Sequence, residues 1–417
     1  MNQIRWRSKI VVLAMIGLLA AVQGCSASSD ELDGDGNAHQ SQEQEADNTS
    51  EPREQKLDNA ADSAVSESQE ERPESETRAA QTENRPALQP TALAKGEQPP
   101  QFVIISVDGA CEMPSGVMSD MLDLGRDVQG RFTWFLSGLC LLPEQKRMQY
   151  RPPGKSRGSS DIGFGDANMI KRRLNVLAQG YRDGHEIGTH FLGHFCGATG
   201  VGTWSTKQWR SEIAQARKFL DKWPRFNPNI EVDPLPFNST TWIGTRTPCL
   251  EGNRSQMLPA FIAEGFRYEA SNPGALKWPT KMSGGQLWDF TLPLLNMSGS
   301  RLRVLAMDYN FMANQGDGKS SSDPSTCAKV EKQTRNTYLK ALKATYNSSR
   351  APLIIGAHMN PWSCNAYVKS LFDFVRTAKA KYPEVMFISF SELTDWLDAQ
   401  KPRVLKALQK KPPVTDY

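Results

Sequence analysis

Phe102-Val103-Ile104-Ile105-Ser106-Val107-Asp108-Gly109-Ala110 is the stretch on which the fold turns. Phe102–Val107 is a short apolar run that stops at an Asp-Gly pair, the form of a buried strand. Two further runs end on a reactive side chain in the same way: Glu186–Thr189 precedes His190, and Leu353–Ala357 precedes His358. Strands are also expected at Arg131–Leu136, Phe266–Ala270, Leu302–Met307 and Val385–Ser389. Helical spacing predicts helices over Ala167–Gln179, with Gly180 as the stop, and over Thr206–Trp223, Lys332–Tyr346, Ala366–Lys381 and Ser391–Leu397. Strands alternating with helices define an α/β chain with a mainly parallel sheet. In α/β barrels the active site is built on loops at the C-terminal ends of the strands. Asp108, His190 and His358 all take that position, so they are expected to share one site. The chain contains no internal repeat and no glycine-rich phosphate loop.

Three of the five histidines fall within Gly184–Phe195. If the segment after Thr189 is helical, His190 and His194 lie one turn apart on the same face. That spacing lets two imidazoles reach one divalent ion from one rigid element. The alternative is a pair of ordinary core or surface histidines.

The beginning of the chain reads as an export signal. Arg5, Arg7 and Lys9 precede an apolar run, Ile10 to Val22, that is short for a membrane span, which takes about 20 residues. Val22-Gln23-Gly24-Cys25 resembles a bacterial lipobox, in which the cysteine is lipidated and anchors the mature protein to the membrane. Gln23 is an unusual occupant, and an ordinary secretory signal cleaved near Gly24 is the alternative. Residues 26–98 hold no aromatic residue and carry 18 acidic against 6 basic side chains. Such a segment buries too little apolar surface to offset the entropy of ordering and is expected to be a disordered, extended tether. Residues 99–417 then carry a net charge of +12, hidden in a whole-chain value of +3. In an exported protein a basic domain favours wall polymers, acidic polysaccharide or a membrane surface as partner, not nucleic acid, unless the charge serves solubility alone. This domain holds Cys111, Cys140, Cys196, Cys249, Cys327 and Cys364, an even number that favours disulfides in an oxidising compartment. Cys111 with Cys140 and Cys196 with Cys249 are candidate pairs.

Five segments, in order, resemble the polysaccharide deacetylases of carbohydrate esterase family 4 (the NodB-homology domain). They are Ser106-Val107-Asp108-Gly109-Ala110, Thr189-His190-Phe191-Leu192-Gly193-His194, Arg246-Thr247-Pro248-Cys249, the weaker Leu287-Trp288-Asp289-Phe290, and Leu353-Ile354-Ile355-Gly356-Ala357-His358. The resemblance spans roughly residues 101–398 and implies a distorted (β/α) barrel. It implies metal-assisted hydrolysis of N-acetyl, sometimes O-acetyl, groups on a polysaccharide such as an N-acetylglucosamine polymer or peptidoglycan. His190 and His194, with Asp108, would hold a divalent ion, most often Zn2+. Asp108 would be the general base and Arg246 would orient it. The backbone N–H of Cys249 would stabilise the oxyanion. His358 would be the general acid, with Asp289 raising its pKa.

Gly109 departs from the pattern, since the family's second aspartate, normally the third metal ligand, belongs there. Asp108 would have to serve two roles or another ligand would have to move in. Glu112, Asp161 and Asp166 are near in sequence, and Cys196 could ligate as a thiolate. Cys249 also replaces an aromatic residue. Trp204, Trp288 and Trp362 are expected either to stack on sugar rings or to pack in the core. The long loop Tyr150–Gly165 reads as a groove wall, a lid or a flexible insertion. Two functions follow: a surface-anchored metal-dependent deacetylase, or a degenerate relative that binds glycan without turnover.

Overall fold

The computed structural model describes residues 87–417 apart from 317 and 416. The expected signal segment with Cys25, and the expected linker up to residue 86, lie outside the described residues. Residues 88–93 are packed on the domain: the Leu88 N–H donates to Glu392 Oε1 (2.9 Å), the Leu93 N–H to Gln400 Oε1 (3.0 Å), and Leu93 is buried. The folded domain therefore starts before residue 99, because two leucines near the linker's end find an apolar seat.

The strands are β1 (Phe102–Asp108), β2 (Thr133–Leu136), β3 (Glu186–Thr189), β4 (Gly244–Thr245), β5 (Tyr268–Glu269), β6 (Pro273–Gly274), β7 (Thr280–Met282), β8 (Leu287–Asp289), β9 (Leu292–Asn296), β10 (Arg303–Leu305), β11 (Leu353–Ala357) and β12 (Met386–Phe387). The larger sheet runs β11-β1-β2-β3-β4-β5-β8-β7, with β12 against the start of β1, and it is parallel except at the β7–β8 pair. The smaller one runs β10-β9-β6. The Gly356 N–H donates to the Ala306 carbonyl and ties β11 of the larger sheet to the segment just past β10 of the smaller one, whose own pairings are extended by Leu292 N–H to Asn272 O and Ala306 N–H to Pro293 O. The hydrogen-bonded path thus returns to β11, and the architecture is the distorted (β/α) barrel expected.

Helices cover the outside. Val117–Val128, Ala167–Arg182, Thr206–Asp221 and Arg254–Ala263 each connect successive parallel strands, and Pro324–Tyr346 and Trp362–Lys381 flank β11. Side-chain caps set their starts: Asp166 accepts from the Met169 N–H, and Ser205 forms a capping box with Gln208. The helix expected from Lys332 begins at Pro324, because Asp323 caps it and Pro324 suits the first turn, where a missing N–H costs nothing. Before the helix expected from Ala366, Ser363, Cys364 and Asn365 take left-handed backbone, so regular helix begins after them.

The two faces of β1 place the site. Val103, Ile105 and Val107 join the apolar layer packed with the helices Val117–Val128 and Trp362–Lys381, whereas Phe102 and Ile104 join a second cluster with Tyr268, Trp278 and Phe390. Side chains alternate along a strand, so Ser106 and Asp108 continue the face of Phe102 and Ile104. That face ends in polar groups where the strand ends.

Candidate active site

Arg246, just past β4, is fully buried and binds both polar groups of that face. Its Nη1 donates to Ser106 Oγ (2.7 Å) and to Asp108 Oδ1 (2.8 Å), and its Nε donates to the Ala270 carbonyl (2.8 Å). The guanidinium lies over the Phe135 ring, 5.0 Å from the centroid. Burial pushes the Asp108 carboxyl up, but Arg246, His190 and His358 together outweigh it and hold it below the usual carboxylate range. Asp108 is thus an ionised carboxylate in a site that excludes most water.

His358, just past β11, has the opposite setting. Its Nδ1 lies 2.7 Å from Asp308 Oδ1, and its backbone N–H donates to Asp308 Oδ2 at 2.6 Å. A carboxylate only accepts, so Nδ1 carries a proton. Burial lowers the imidazole pKa, but Asp308, then Asp108, raise it further than burial and Arg246 lower it, so the net shift is upward. The His358 side chain keeps a quarter of its surface exposed. Tyr309 and Trp362 flank it, with ring centroids 6.4 and 6.0 Å away. Asp308 and Tyr309 were not read from the sequence. Asp308 nonetheless follows the predicted strand Leu302–Met307, the placement that singled out the other three.

The segment from His190 to His194 is not a helix. Phe191 and His194 hold left-handed backbone (φ 61° and 54°), so a tight turn and not a helical face brings the two rings to 5.1 Å. His190 Nδ1 lies 2.9 Å from the Arg246 carbonyl, which can only accept, so the Nε2 lone pair is free for another partner. Burial is the main cause that pushes His190 down to about 3 and also lowers His194, so both imidazoles are neutral. The turn rests on a buried pair. The Tyr150 hydroxyl donates to Glu212 (2.9 and 3.1 Å to its two oxygens), and the Gly193 N–H points at the Tyr150 oxygen (3.1 Å). Burial pushes Glu212 up to about 7.

Two neutral imidazoles suit a divalent ion, but a zinc centre uses at least three protein donors. Among the described residues, one set of three His, Cys, Asp or Glu donors has all its ligand atoms within 4.8 Å: His194, Cys196 and Cys249. Asp108, His190 and His194 do not meet that spacing. The alternatives named from sequence do not supply the missing donor. Glu112 caps the helix Val117–Val128 by accepting from Met118, Ser119 and the Ser119 hydroxyl, and Asp166 caps its own helix. Asp161 is exposed and joins the site through its backbone, its N–H donating to the Gly193 carbonyl at 2.8 Å. Cys196 is bonded to Cys249. The residues present therefore do not fit the expected three-donor metal centre.

Other expected site residues fall in different places. Asp289 accepts from Asn272 Nδ2 (2.9 Å) and is not the partner of His358; that partner is Asp308. Trp288 is buried, with its Nε1 donating to Asp398 Oδ1 (3.0 Å), and Trp204 is buried against Trp209, so both pack in the core. Trp362 is half-buried beside His358. Cys249 takes left-handed backbone (φ 54°) at the rim. The loop Tyr150–Gly165 has no regular structure beyond isolated bridges and turns, and it lies on the His190–His194 turn through the Asp161–Gly193 bond. Both candidate cysteine pairs are disulfides, and Cys327–Cys364 is a third.

No family model and no curated protein matches the chain. Among solved structures, it is similar to a Mycobacterium smegmatis protein described as a polysaccharide deacetylase (14% identity, 79% of this chain and 98% of that one, TM-score 0.44). It is similar also to a family 4 carbohydrate esterase from Streptomyces lividans (13%, 67% and 89%, 0.33) and to a mutant of a pseudoenzyme of that esterase family (8%, 75% and 73%, 0.36). At such identities and scores, what this chain does rests on its own residues.

Proposed function

We propose that this chain is a hydrolase that removes N-acetyl or O-acetyl groups from a cell-wall or extracellular polysaccharide, an N-acetylglucosamine polymer or peptidoglycan being the substrate class. The observation that supports it is the opposed pair at the barrel mouth: Asp108 held ionised by Arg246, and His358 held protonated by Asp308. Two titratable groups whose surroundings push their pKa values apart mark a base and an acid. Asp108 Oδ1 is engaged by Arg246, so Oδ2 takes the proton of an attacking water. His358 Nδ1 is engaged by Asp308, so Nε2 delivers a proton to the departing amine or alcohol. The Cys249 N–H is the proposed oxyanion donor, and Trp362 with Tyr309 supplies apolar surface beside the acid for a sugar ring. A zinc ion on His190 and His194 would have two protein donors where such sites have three or four. The acid–base pair is complete without it.

The sequence further supports export and lipid anchoring through Cys25, which would hold the domain at the membrane beside wall polymers. The test is acetate release from acetylated glycans, run on the full chain with and without added zinc. Wild-type turnover that Asp108→Asn and His358→Ala each lower by about a hundredfold or more supports the proposal. Its absence on all polymers, with and without metal, would sink it. The missing third donor favours a second reading, glycan binding without turnover. Retention on peptidoglycan unchanged by His190→Ala, with no acetate released, would be its signature.

A further inference from the structure

The three ligand atoms that do converge lie at the edge of the site just described. His194 Nδ1 is 3.6 Å from Cys196 Sγ and 3.9 Å from Cys249 Sγ. We propose that this trio is a redox-gated metal site, closed while the Cys196–Cys249 disulfide is intact and opened to a thiophilic divalent ion such as zinc when it is reduced. The inference does not rest on the hydrolase reading.

The geometry fits a tetrahedral ion. Zinc–nitrogen and zinc–sulfur bonds of about 2.1 and 2.3 Å place neighbouring donors about 3.4–3.8 Å apart. The edge from His194 Nδ1 to Cys196 Sγ already has that length, and the edge to Cys249 Sγ, at 3.9 Å, is slightly longer. On losing their bond the sulfurs must part to a similar spacing, which side-chain rotation provides. All three residues are half-buried, so a reductant and an ion can enter and a solvent molecule can take the fourth position.

What keeps the trio together after reduction is a separate set of bonds. The Gly197 N–H, next to Cys196, donates to both oxygens of Glu251 (3.1 and 3.0 Å), two residues past Cys249. Each loop is also tied within itself, Val201 N–H to Phe195 O and Glu251 N–H to Pro248 O. The cysteines thus stay on adjacent loops whether or not the sulfurs are joined.

The step balances with a dithiol as reductant. The dithiol gives up two electrons and two protons and closes its own disulfide, while the Cys196–Cys249 bond breaks to two thiols. Ion binding then releases both thiol protons.

The test uses the full chain, oxidised or reduced with dithiothreitol that is then removed without oxygen. Cobalt(II) serves as the probe, because thiolate coordination gives a near-ultraviolet charge-transfer band. The expected result is that band in the reduced chain alone, with affinity raised about a hundredfold or more by reduction. Cys196→Ser/Cys249→Ser should remove it, and Cys111→Ser/Cys140→Ser should not. Should the first variant fail to fold, mass mapping of alkylation on the reduced wild-type chain decides: zinc must slow modification of Cys196 and Cys249 and leave Cys327 and Cys364 unprotected. A reduced chain without the band, or one in which zinc protects the other cysteines equally, overturns the proposal.

Discussion

Asp308 holds His358 twice, once through the ring Nδ1 (2.7 Å) and once through the backbone N–H (2.6 Å), so one carboxylate fixes both the charge and the position of the imidazole. The His358 pKa lies above its ordinary 6.5. The interaction therefore stabilises the fold fully below the unfolded value and is lost as pH rises through the folded one. In Asp308→Asn the His358 titration, followed by NMR of the ring protons, should move down, and the alkaline limb of any hydrolytic activity should move down with it. His358→Ala should cost about a hundredfold to ten-thousandfold in rate. An unmoved titration in Asp308→Asn would show that the carboxylate does not control the acid.

Arg246 and Asp108 are both buried and paired at 2.8 Å. Arg246→Leu should destabilise the domain by about 3–5 kcal/mol, because it leaves a carboxylate buried without its partner. Asp108→Asn should cost a similar amount, because it leaves the Arg246 guanidinium buried without its counter-ion. The folded Asp108 pKa is depressed below 3.8, so its contribution is present above that value and disappears as pH falls through the folded pKa. Urea unfolding across the acid range should show that loss in the wild type and not in Asp108→Asn.

Glu212 gives the opposite sign. Its carboxyl is raised from 4.5 to about 7, so stability should fall as pH rises from 4.5 to 7 and level off above. Glu212→Gln keeps an acceptor for the Tyr150 hydroxyl and should flatten that slope, gaining on the order of 3 kcal/mol at high pH. A melting temperature with the same pH slope in both proteins would refute the assignment.

Gly109 takes left-handed backbone (φ 67°), and an added Cβ would meet nothing closer than Ser137 Oγ at 3.6 Å. Gly109→Asp should therefore fold, at a cost of about 1 kcal/mol for the backbone conformation. It should also raise zinc affinity, measured by calorimetry, by adding a carboxylate next to Asp108. Unchanged affinity would mean that the third position is closed by the shape of the turn and not by the missing side chain.

The parts of the site that sequence made legible are those at ends of apolar runs: Asp108, His190 and His358 each follow a strand long enough to recognise. Asp308 obeys the same rule yet competes with Asp289. The choice between them depends on which strand lies beside β11, and Met307, with its bridge to Gly356, settles that only in three dimensions. The His190–His194 turn could not be foreseen, because Phe191 and His194 adopt backbone that L-residues rarely take and no glycine marks those positions. Glu212 sits within an expected helix, where a charged residue reads as solvated. Its burial under Tyr150 becomes visible only once the long loop is in place.

Each disulfide joins segments from neighbouring staves at the end of the barrel where strands finish: Cys111 and Cys140 follow β1 and β2, Cys196 and Cys249 follow β3 and β4, and Cys364 follows β11 and meets Cys327 on the preceding helix. Closing loops of 29, 53 and 37 residues stabilises the domain by about 3–4 kcal/mol each in the chain-entropy account. All of that restraint falls on one rim. Amide hydrogens around the opening should therefore exchange slowly, and a polymer of the proposed substrate class would meet an aperture whose outline is set beforehand. Selection among glycans would then be by shape at first contact, with little energy spent on closing around the one that fits.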